Sequence, residues 1–449
     1  MEGNLTKGPI LKTLTKLAVP IMASSFLGTL YNITDMAWIG LLGSKAVAGV
    51  GVGGMFTWLS QGLAAMARMG GQVHVAQCIG RGDRERAHGF AQAAVQLAAF
   101  MGMAYAILSL LFTRQMVGFF QLADAQAHAA AMSYTRIACG LIVFSFMTLT
   151  LTGLYTAQGD SKTPLIFLIV ASVLNVILDL IFVLSFGWGV VGAGVATAFS
   201  QLISALACII YAYKSNTYFK LKKKNIKLNG NIIKKSCKLG IPVALQNSLI
   251  AFSLIVLQKV VNGYGATFTT AFTVVSRIET LVQQPFMSLG AAVSTYTGQN
   301  IGAGLKDRVR KGFNSATLVS SIFALAIGVV FWIFAPSIAS IFGKDADVIR
   351  IGANGLRITC CFYIFLGLIY TTRNVLNGAG DAMFSLFTGI VECIGRVGFA
   401  YPMTLIPFMG KYGVFYATGL TWFLNGMFSL IRYKRGKWKK IDVISKVKG

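Results

Sequence analysis

The chain alternates between long apolar runs and short polar segments. Twelve runs are long enough to cross a bilayer as helices, because a hydrocarbon core of about 30 Å needs about 20 apolar residues. They lie near residues 14–40, 46–76, 90–112, 131–155, 163–186, 190–213, 239–262, 268–297, 313–334, 350–376, 384–408 and 413–432. The pattern predicts an all-α integral membrane protein with twelve transmembrane helices.

The two halves of the chain repeat each other. A shift of 222 residues brings Pro20 onto Pro242 and the Gln-Cys-Ile-Gly-Arg-Gly segment at 77–82 onto Gln-Asn-Ile-Gly-Ala-Gly at 299–304. Each half holds six apolar runs, so both halves enter the membrane in the same orientation. We therefore expect two six-helix lobes related by a pseudo-two-fold axis along the membrane normal. A transporter that rocks one lobe against the other and a static pore between lobes both fit this arrangement.

A lysine-rich stretch at the midpoint sets the predicted domain boundaries. The predicted domains are an N-lobe over 1–213, a basic cytoplasmic linker over 214–238, a C-lobe over 239–432 and a basic cytoplasmic tail over 433–449. Basic residues collect at the chain ends and in alternate loops, which is the positive-inside pattern. Both termini are therefore predicted to be cytoplasmic.

Composition and charge narrow the function. Hydrophobic residues make up 55% and charged residues 12% of the chain, whereas soluble domains carry about 25% charged residues. A soluble multidomain enzyme is therefore excluded. The net charge of +26 would suit nucleic acid, but the basic residues lie beside the apolar runs, where membrane lipids with anionic head groups are the expected partners.

Ionisable side chains within the apolar runs mark the candidate site, because a charge inside a membrane is costly and usually functional. Asp35, Asp179 and Thr197 all fall roughly 10 Å inside the external face, and Asn175 precedes Asp179 by one helical turn. Their oxygens could bind Na⁺, and the two carboxylates could hold protons instead. A hydrogen-bonded group that only holds helices together is the alternative.

Other candidates are substrate-binding or structural. Glu392 and Arg396 are four residues apart, which favours an internal ion pair. Pro20 is a candidate hinge in the first span. Glu279 could attract a cationic substrate. The apolar side chains predicted to contact that substrate belong to Met55, Met66, Phe144, Met147 and Met287.

The remaining motifs predict neither an enzyme nor a bound cofactor. Two Gly-x-Gly-x-x-Gly matches, at 49–54 and 187–192, lack the strand that a dinucleotide fold requires. Gly49 and Gly53 are instead expected to allow close helix contact. The histidines and cysteines show no metal-ligand spacing.

The repeated Gln-x-Ile-Gly-x-Gly segments, the paired prolines and the twelve runs resemble the bacterial multidrug and toxic compound extrusion (MATE) family over nearly the whole chain. The acid of span 1 and Asn-x-x-x-Asp of span 5 resemble its DNA-damage-inducible branch. That resemblance implies a first-lobe cation site of Asp35, Asn175, Asp179 and Thr197, joined by Tyr134.

The resemblance also implies a function. It predicts export of organic cations and other drugs across the bacterial inner membrane by alternating access, driven by H⁺ or Na⁺. The protein is expected to act as a monomer without a cofactor or nucleic-acid partner. A lipid-linked oligosaccharide flippase of the same architecture is the alternative, and an integral-membrane enzyme is a third hypothesis for which the sequence shows no catalytic constellation.

Overall fold

The computed structural model describes residues 4–214, 230–343 and 345–441. These residues form fourteen α-helices and no strand. The helices are α1 (Ile10–Gly40), α2 (Ser44–Arg81), α3 (Arg84–Gly118), α4 (Ala125–Gly140), α5 (Val143–Ala157), α6 (Lys162–Asp179), α7 (Gly189–Lys214), α8 (Gly230–Asn262), α9 (Ala266–Gly302), α10 (Lys306–Ser340), α11 (Ala346–Cys360), α12 (Tyr363–Gly378), α13 (Ala382–Ala400) and α14 (Gly413–Lys434).

Short helical segments complete the fold. A π-helix, Leu180–Ser185, follows α6. Two 3-10 turns, Pro402–Leu405 and Gly410–Tyr412, separate α13 from α14, and a third, Lys437–Lys440, follows α14. The part of the predicted linker at 215–229 and the part of the predicted tail at 442–449 lie outside the described residues. The last part of the predicted linker, from Gly230, is helical and begins α8.

The helices account for all twelve predicted spans. Eight segments are individually long and apolar enough to cross a membrane, and two further spans are bent pairs, α4 with α5 at 46° and α11 with α12 at 52°. The other two are α2 and α9, with 38 and 37 residues, whose glycines and polar side chains lower their hydropathy. The predicted fold class, an all-helical membrane protein with two lobes of six spans, is confirmed.

The sequence repeat is also a structural repeat. The long helices α2 and α9 are each followed by a 35-residue helix and then by a bent pair. Gly159 and Gly380 occupy matching positions and have φ angles of +81° and +95°, a conformation that glycine adopts without steric cost. The matching glycines therefore end the bent span in the same way in both halves.

The chain forms two compact units whose limits fall inside helices. Ala23–Ile241 belongs to unit 1 together with the first four residues, and unit 2 comprises Leu5–Met22 and Pro242–Gly449. The divisions lie in α1 and α8, close to the repeated prolines Pro20 and Pro242. In unit 2 the start of α1 packs into an apolar core containing Leu14, Leu17, Val293, Phe313 and Trp438.

Side chains of the repeated motif hold the beginning of the chain in unit 2. The Leu5 backbone N–H donates to Gln299 Oε1 at 3.0 Å, and Asn300 Nδ2 donates to the Leu5 carbonyl oxygen at 3.2 Å. Arg308 Nη2 donates to the carbonyl oxygen of Lys7 at 2.9 Å. These bonds satisfy backbone groups that precede the first helical turn and would otherwise depend on water.

Arg308→Gln is expected to loosen this segment, because a charged donor to backbone carbonyl oxygens is removed. We predict a severalfold faster tryptic cleavage after Lys7 in the purified protein, measured by mass spectrometry of the released peptide. Arg310→Gln is the matched control, since Arg310 is exposed on the same helix. Equal cleavage rates in the two variants would show that Arg308 does not hold the segment.

Candidate functional site

Unit 1 contains a cavity of about 440 Å³ that is lined by helices of five of its six spans, all except α3. Asp35, Tyr134 and Thr197 line it, as do Tyr31 and Gln61. Of the described lining residues, Asp35 is the only charged one. The cavity therefore presents a carboxylate in surroundings of hydroxyl, amide and apolar groups.

Asn175 and Asp179 lie buried behind this wall and connect to it through Thr197. With the Asn175 amide oriented to suit both neighbours, its nitrogen donates to Asp179 Oδ2 at 3.0 Å and its oxygen accepts from the Thr197 backbone N–H at 3.3 Å. The Tyr31 hydroxyl donates to Thr197 Oγ1 at 3.3 Å. The structure thus brings the sequence-predicted residues of α1, α6 and α7 into one polar cluster.

The two carboxylates of this cluster retain unused acceptor positions. Asp35 Oδ1 and Asp179 Oδ1 are buried, and neither accepts a hydrogen bond from the part of the chain that is described. The two groups are close enough to interact electrostatically. Buried carboxylate oxygens without partners are costly, so a proton or a monovalent cation placed here would remove an unfavourable interaction.

The backbone changes geometry at Asp179. The α-helical hydrogen bonding of α6 ends at this residue, and the π-helix Leu180–Ser185 follows at once. π-helical turns are rare and frequently occur at functional sites. The apolar run that predicted this span gave no signal for the π-helix.

Two glycines of α2 allow α4 to pack closely against α2, with the Tyr134 ring directly over one of them. A Cβ atom at Gly53 would lie 2.6 Å from Tyr134 Cδ1, and one at Gly49 would lie 2.7 Å from the Ala127 carbonyl oxygen. The prediction that Gly49 and Gly53 serve helix contact is therefore confirmed. Tyr134 itself is buried.

Gly53→Ala is expected to displace the Tyr134 ring from the cavity wall. Overpacking of this kind costs about 1–3 kcal/mol, so we predict a lower unfolding temperature in detergent and slower transport. Gly51→Ala is the matched control, because a Cβ atom at Gly51 would meet no atom within 4 Å. A Gly53→Ala protein that is as stable as the Gly51→Ala protein would contradict this account of the contact.

Unit 2 contains a second cavity of about 230 Å³, which Glu279, Glu392 and Arg396 line. Arg396 Nη2 lies 2.9 Å from Glu392 Oε1 and both side chains are buried. Asn425 Nδ2 donates to Glu392 Oε2 at 3.1 Å, and Arg396 Nη1 donates to Ser253 Oγ at 2.6 Å. The sequence-predicted pair is thus embedded in a network that gives each charge its counter-charge and one further hydrogen bond, while the buried Arg396 Nε has no partner among the described residues.

The other candidates are dispersed. Met287 lines the second cavity, but Met55, Met66, Phe144 and Met147 line neither of the two cavities. Pro20 lies within α1, whose helical conformation continues past it.

Tyr31 and Arg373 are among the lining residues that sequence reasoning missed. Tyr31 precedes Asp35 by four residues and so shares its helix face, a spacing that could have identified it. Arg373 falls near the end of the predicted span 350–376; it lies in α12 and lines the second cavity.

Twelve spans in two repeated lobes, each enclosing a cavity with ionisable side chains, define a secondary membrane transporter. The MatE family model matches residues 20–181 and 242–401. The chain belongs to the MATE family, a non-enzymatic family of multi-pass membrane transporters.

Similar proteins cover almost the whole chain. The probable multidrug resistance protein NorM of Thermotoga maritima is 26% identical over 97% of this chain and 95% of its own length. The probable multidrug resistance protein YpnP of Bacillus subtilis is 26% identical, over 98% and 99%.

Solved structures share the fold. A crystal structure of MATE in the bent conformation has a TM-score of 0.91 at 24% identity, covering 98% of this chain and 99% of that one. A MOP superfamily transporter from Pyrococcus furiosus has a TM-score of 0.90 at 24% identity and the same coverage.

Proposed function

We propose that this transporter is an antiporter that exports organic cations and other drugs in exchange for inward-moving H⁺ or Na⁺. The observation that carries the proposal is the unneutralised carboxylate of Asp35, which faces the cavity of unit 1 with a buried oxygen that accepts no hydrogen bond from the described residues. Two relatives named as probable multidrug resistance proteins support the substrate class.

The coupling follows from competition for one charge. A cationic drug in the cavity is attracted to the Asp35 carboxylate, and an entering H⁺ or Na⁺ neutralises that carboxylate and weakens the attraction. Asp179, Asn175 and Thr197 extend the site with further oxygens. Ligands shift an alternating-access equilibrium only if they bind the two states unequally, so export requires that the drug and the ion favour different states.

Either ion could use this cluster. A proton needs one carboxylate oxygen, whereas Na⁺ needs several oxygen ligands, and the cluster offers carboxylate, amide and hydroxyl oxygens. Tyr134, on the wall of the cavity, is placed to shape the same site. We propose a bacterial inner-membrane location with both termini in the cytoplasm, as the distribution of basic residues indicates.

The direct test uses purified protein in liposomes loaded with a fluorescent cationic dye. A pH gradient and a Na⁺ gradient are imposed separately, and the dye movement is followed against protein-free liposomes. We expect one of the gradients to drive dye movement and thereby to identify the ion. No dye movement under either gradient would reject the antiport proposal.

The flippase alternative makes a different demand on the cavity. A lipid-linked pyrophosphate needs arginine or lysine side chains, whereas the described wall of the unit 1 cavity carries a carboxylate and no basic side chain. The charge of this cavity therefore favours cationic over pyrophosphate cargo.

A further inference from the structure

The cavities of the two units occupy equivalent places in the repeat, yet they differ in chemistry. Gln61 and Gln283 are related by the 222-residue shift and each lines its own cavity, but Leu257 stands in place of Asp35. Further lining pairs, related by a shift of 221, are Thr197 with Thr418, Ala138 with Thr359, Leu149 with Tyr370 and Thr152 with Arg373. The cation site of unit 1 is therefore not repeated, although the space for a ligand is.

Glu279 and Arg373 form no ion pair in the second cavity with the described residues, although Arg396 lies close enough to Glu279 to interact with it electrostatically. Glu392 and Arg396 neutralise each other. Glu279, which replaces Thr57 of the first half, has a buried Oε1 that accepts no hydrogen bond from the described chain. Arg373 forms no ion pair within the described ranges, and its guanidinium carbon lies 5.0 Å from the ring centroid of Tyr370. Ionisable side chains that lack a direct partner inside a membrane protein usually serve a ligand or an ion.

The second cavity is long and narrow, with these two charges at different levels. Its lining residues on α9 follow a helical stripe from Phe272 to Met287, a rise of about 22 Å. Glu279 lies eight residues before Met287, roughly 12 Å along the axis. Arg373 lies near the Met287 end, because α9 at Gly290 packs closely against the Tyr370 carbonyl oxygen.

Aromatic side chains form part of the wall along the length of the cavity. Phe272, Tyr370, Phe415 and Trp422 all line the cavity, and the Tyr370 hydroxyl donates to Gln283 Oε1 at 3.0 Å. The volume of about 230 Å³ is below the range of about 300–1,000 Å³ that is usual for drug-sized ligands. A slender, flat ligand therefore suits this space.

We propose that the cavity of unit 2 binds a slender aromatic zwitterion, with its ammonium group at Glu279 and its carboxylate at Arg373. One molecule then supplies a direct charged partner to both side chains and loses its translational freedom only once. The guanidinium fork of Arg373 suits a carboxylate, and the aromatic wall suits a flat body. As a substrate site it rests on the proposed export function, whereas the binding itself does not.

Equilibrium binding to the purified full-length protein tests this proposal without transport. The probe is a biphenyl with an aminomethyl group at one end and a carboxylate at the other. Its methyl ester retains only the cation, and the analogue with a methyl group in place of the aminomethyl group retains only the anion. Calorimetry and quenching of tryptophan fluorescence measure the affinities, with Trp422→Phe identifying the part of the quenching that arises in this cavity.

We expect the zwitterion to bind about tenfold more tightly than either singly charged analogue, the usual effect of one charged hydrogen bond. Glu279→Gln should reduce the affinity of the zwitterion to that of the anionic analogue, and Arg373→Gln should reduce it to that of the cationic ester. All three affinities are measured in the Asp35→Asn protein, because the cationic groups of the zwitterion and of the ester would otherwise be attracted to Asp35 in the unit 1 cavity. The unit 1 coupling site is tested separately by transport, so its failure is distinguishable from failure of this site. Equal affinities of the three probes for the Asp35→Asn protein would overturn the proposal.

Discussion

Replacing Asp35 with Asn is expected to reduce gradient-driven dye movement to the level of protein-free liposomes. An amide is nearly isosteric with the carboxylate, but it neither takes up a proton near neutral pH nor offers Na⁺ a negative charge. Asp35 is the charged side chain on the described wall of the unit 1 cavity, so its loss leaves the ion and the cationic drug without a shared binding group. The measurement is the initial rate of dye movement under each gradient.

Two controls separate coupling from folding. Asp347→Asn removes an exposed carboxylate that pairs with Arg350 at 2.8 Å, and this variant should transport normally. The unfolding temperature of Asp35→Asn should not fall, because the substitution removes a buried charge without an ion-pair partner among the described residues. Normal ion-driven export by Asp35→Asn would remove Asp35 from the coupling mechanism.

Arg396→Met is expected to lower the free energy of unfolding by about 3–5 kcal/mol, the usual cost of breaking a buried ion pair. Loss of the Arg396 guanidinium leaves the Glu392 carboxylate buried without an ion-pair partner. The substitution also removes the positive charge that interacts with Glu279. Glu392→Gln should be less destabilising, because Arg396 keeps Glu279 as a nearby counter-charge. Unfolding of purified protein in mixed detergent micelles, monitored by circular dichroism, measures both variants.

The combined variant Glu392→Gln with Arg396→Met tests the interpretation. Removing both partners leaves one buried charge fewer than Arg396→Met alone, so the double variant should recover part of the lost stability. A double variant whose loss equals the sum of the two single losses would show that the two side chains do not interact energetically.

The pattern of apolar runs was sufficient to predict every membrane span, because burial in lipid requires long uninterrupted hydrophobic segments. It could not predict how two spans bend. One bend follows Gly140 and the other follows Cys360, beside an Arg-Ile-x-Cys segment that is repeated at 136–139 and 357–360 but does not by itself predict a bend. Tertiary packing decides the direction of the chain at these points.

The polar cluster of unit 1 was accessible to sequence reasoning because its members share a depth and a helix face. Helical spacing relates Asn175 to Asp179, and the count from the span ends relates both to Asp35 and Thr197. The assignment of apolar side chains to substrate binding had no such geometric basis, since a methionine such as Met55 can face lipid, core or cavity with equal hydropathy. Whether the cluster couples transport to an ion stays a prediction.

The assignment of the start of α1 to unit 2 has a consequence for biosynthesis. Leu14 and Leu17 complete their core only with partners from the second half of the chain, among them Trp438. The first helix therefore leaves the ribosome long before the residues that it packs against exist. Until residue 438 has been synthesised, the N-terminal part of this helix must be sheltered by lipid or by the insertion machinery, and the nascent first half is incomplete as a folding unit.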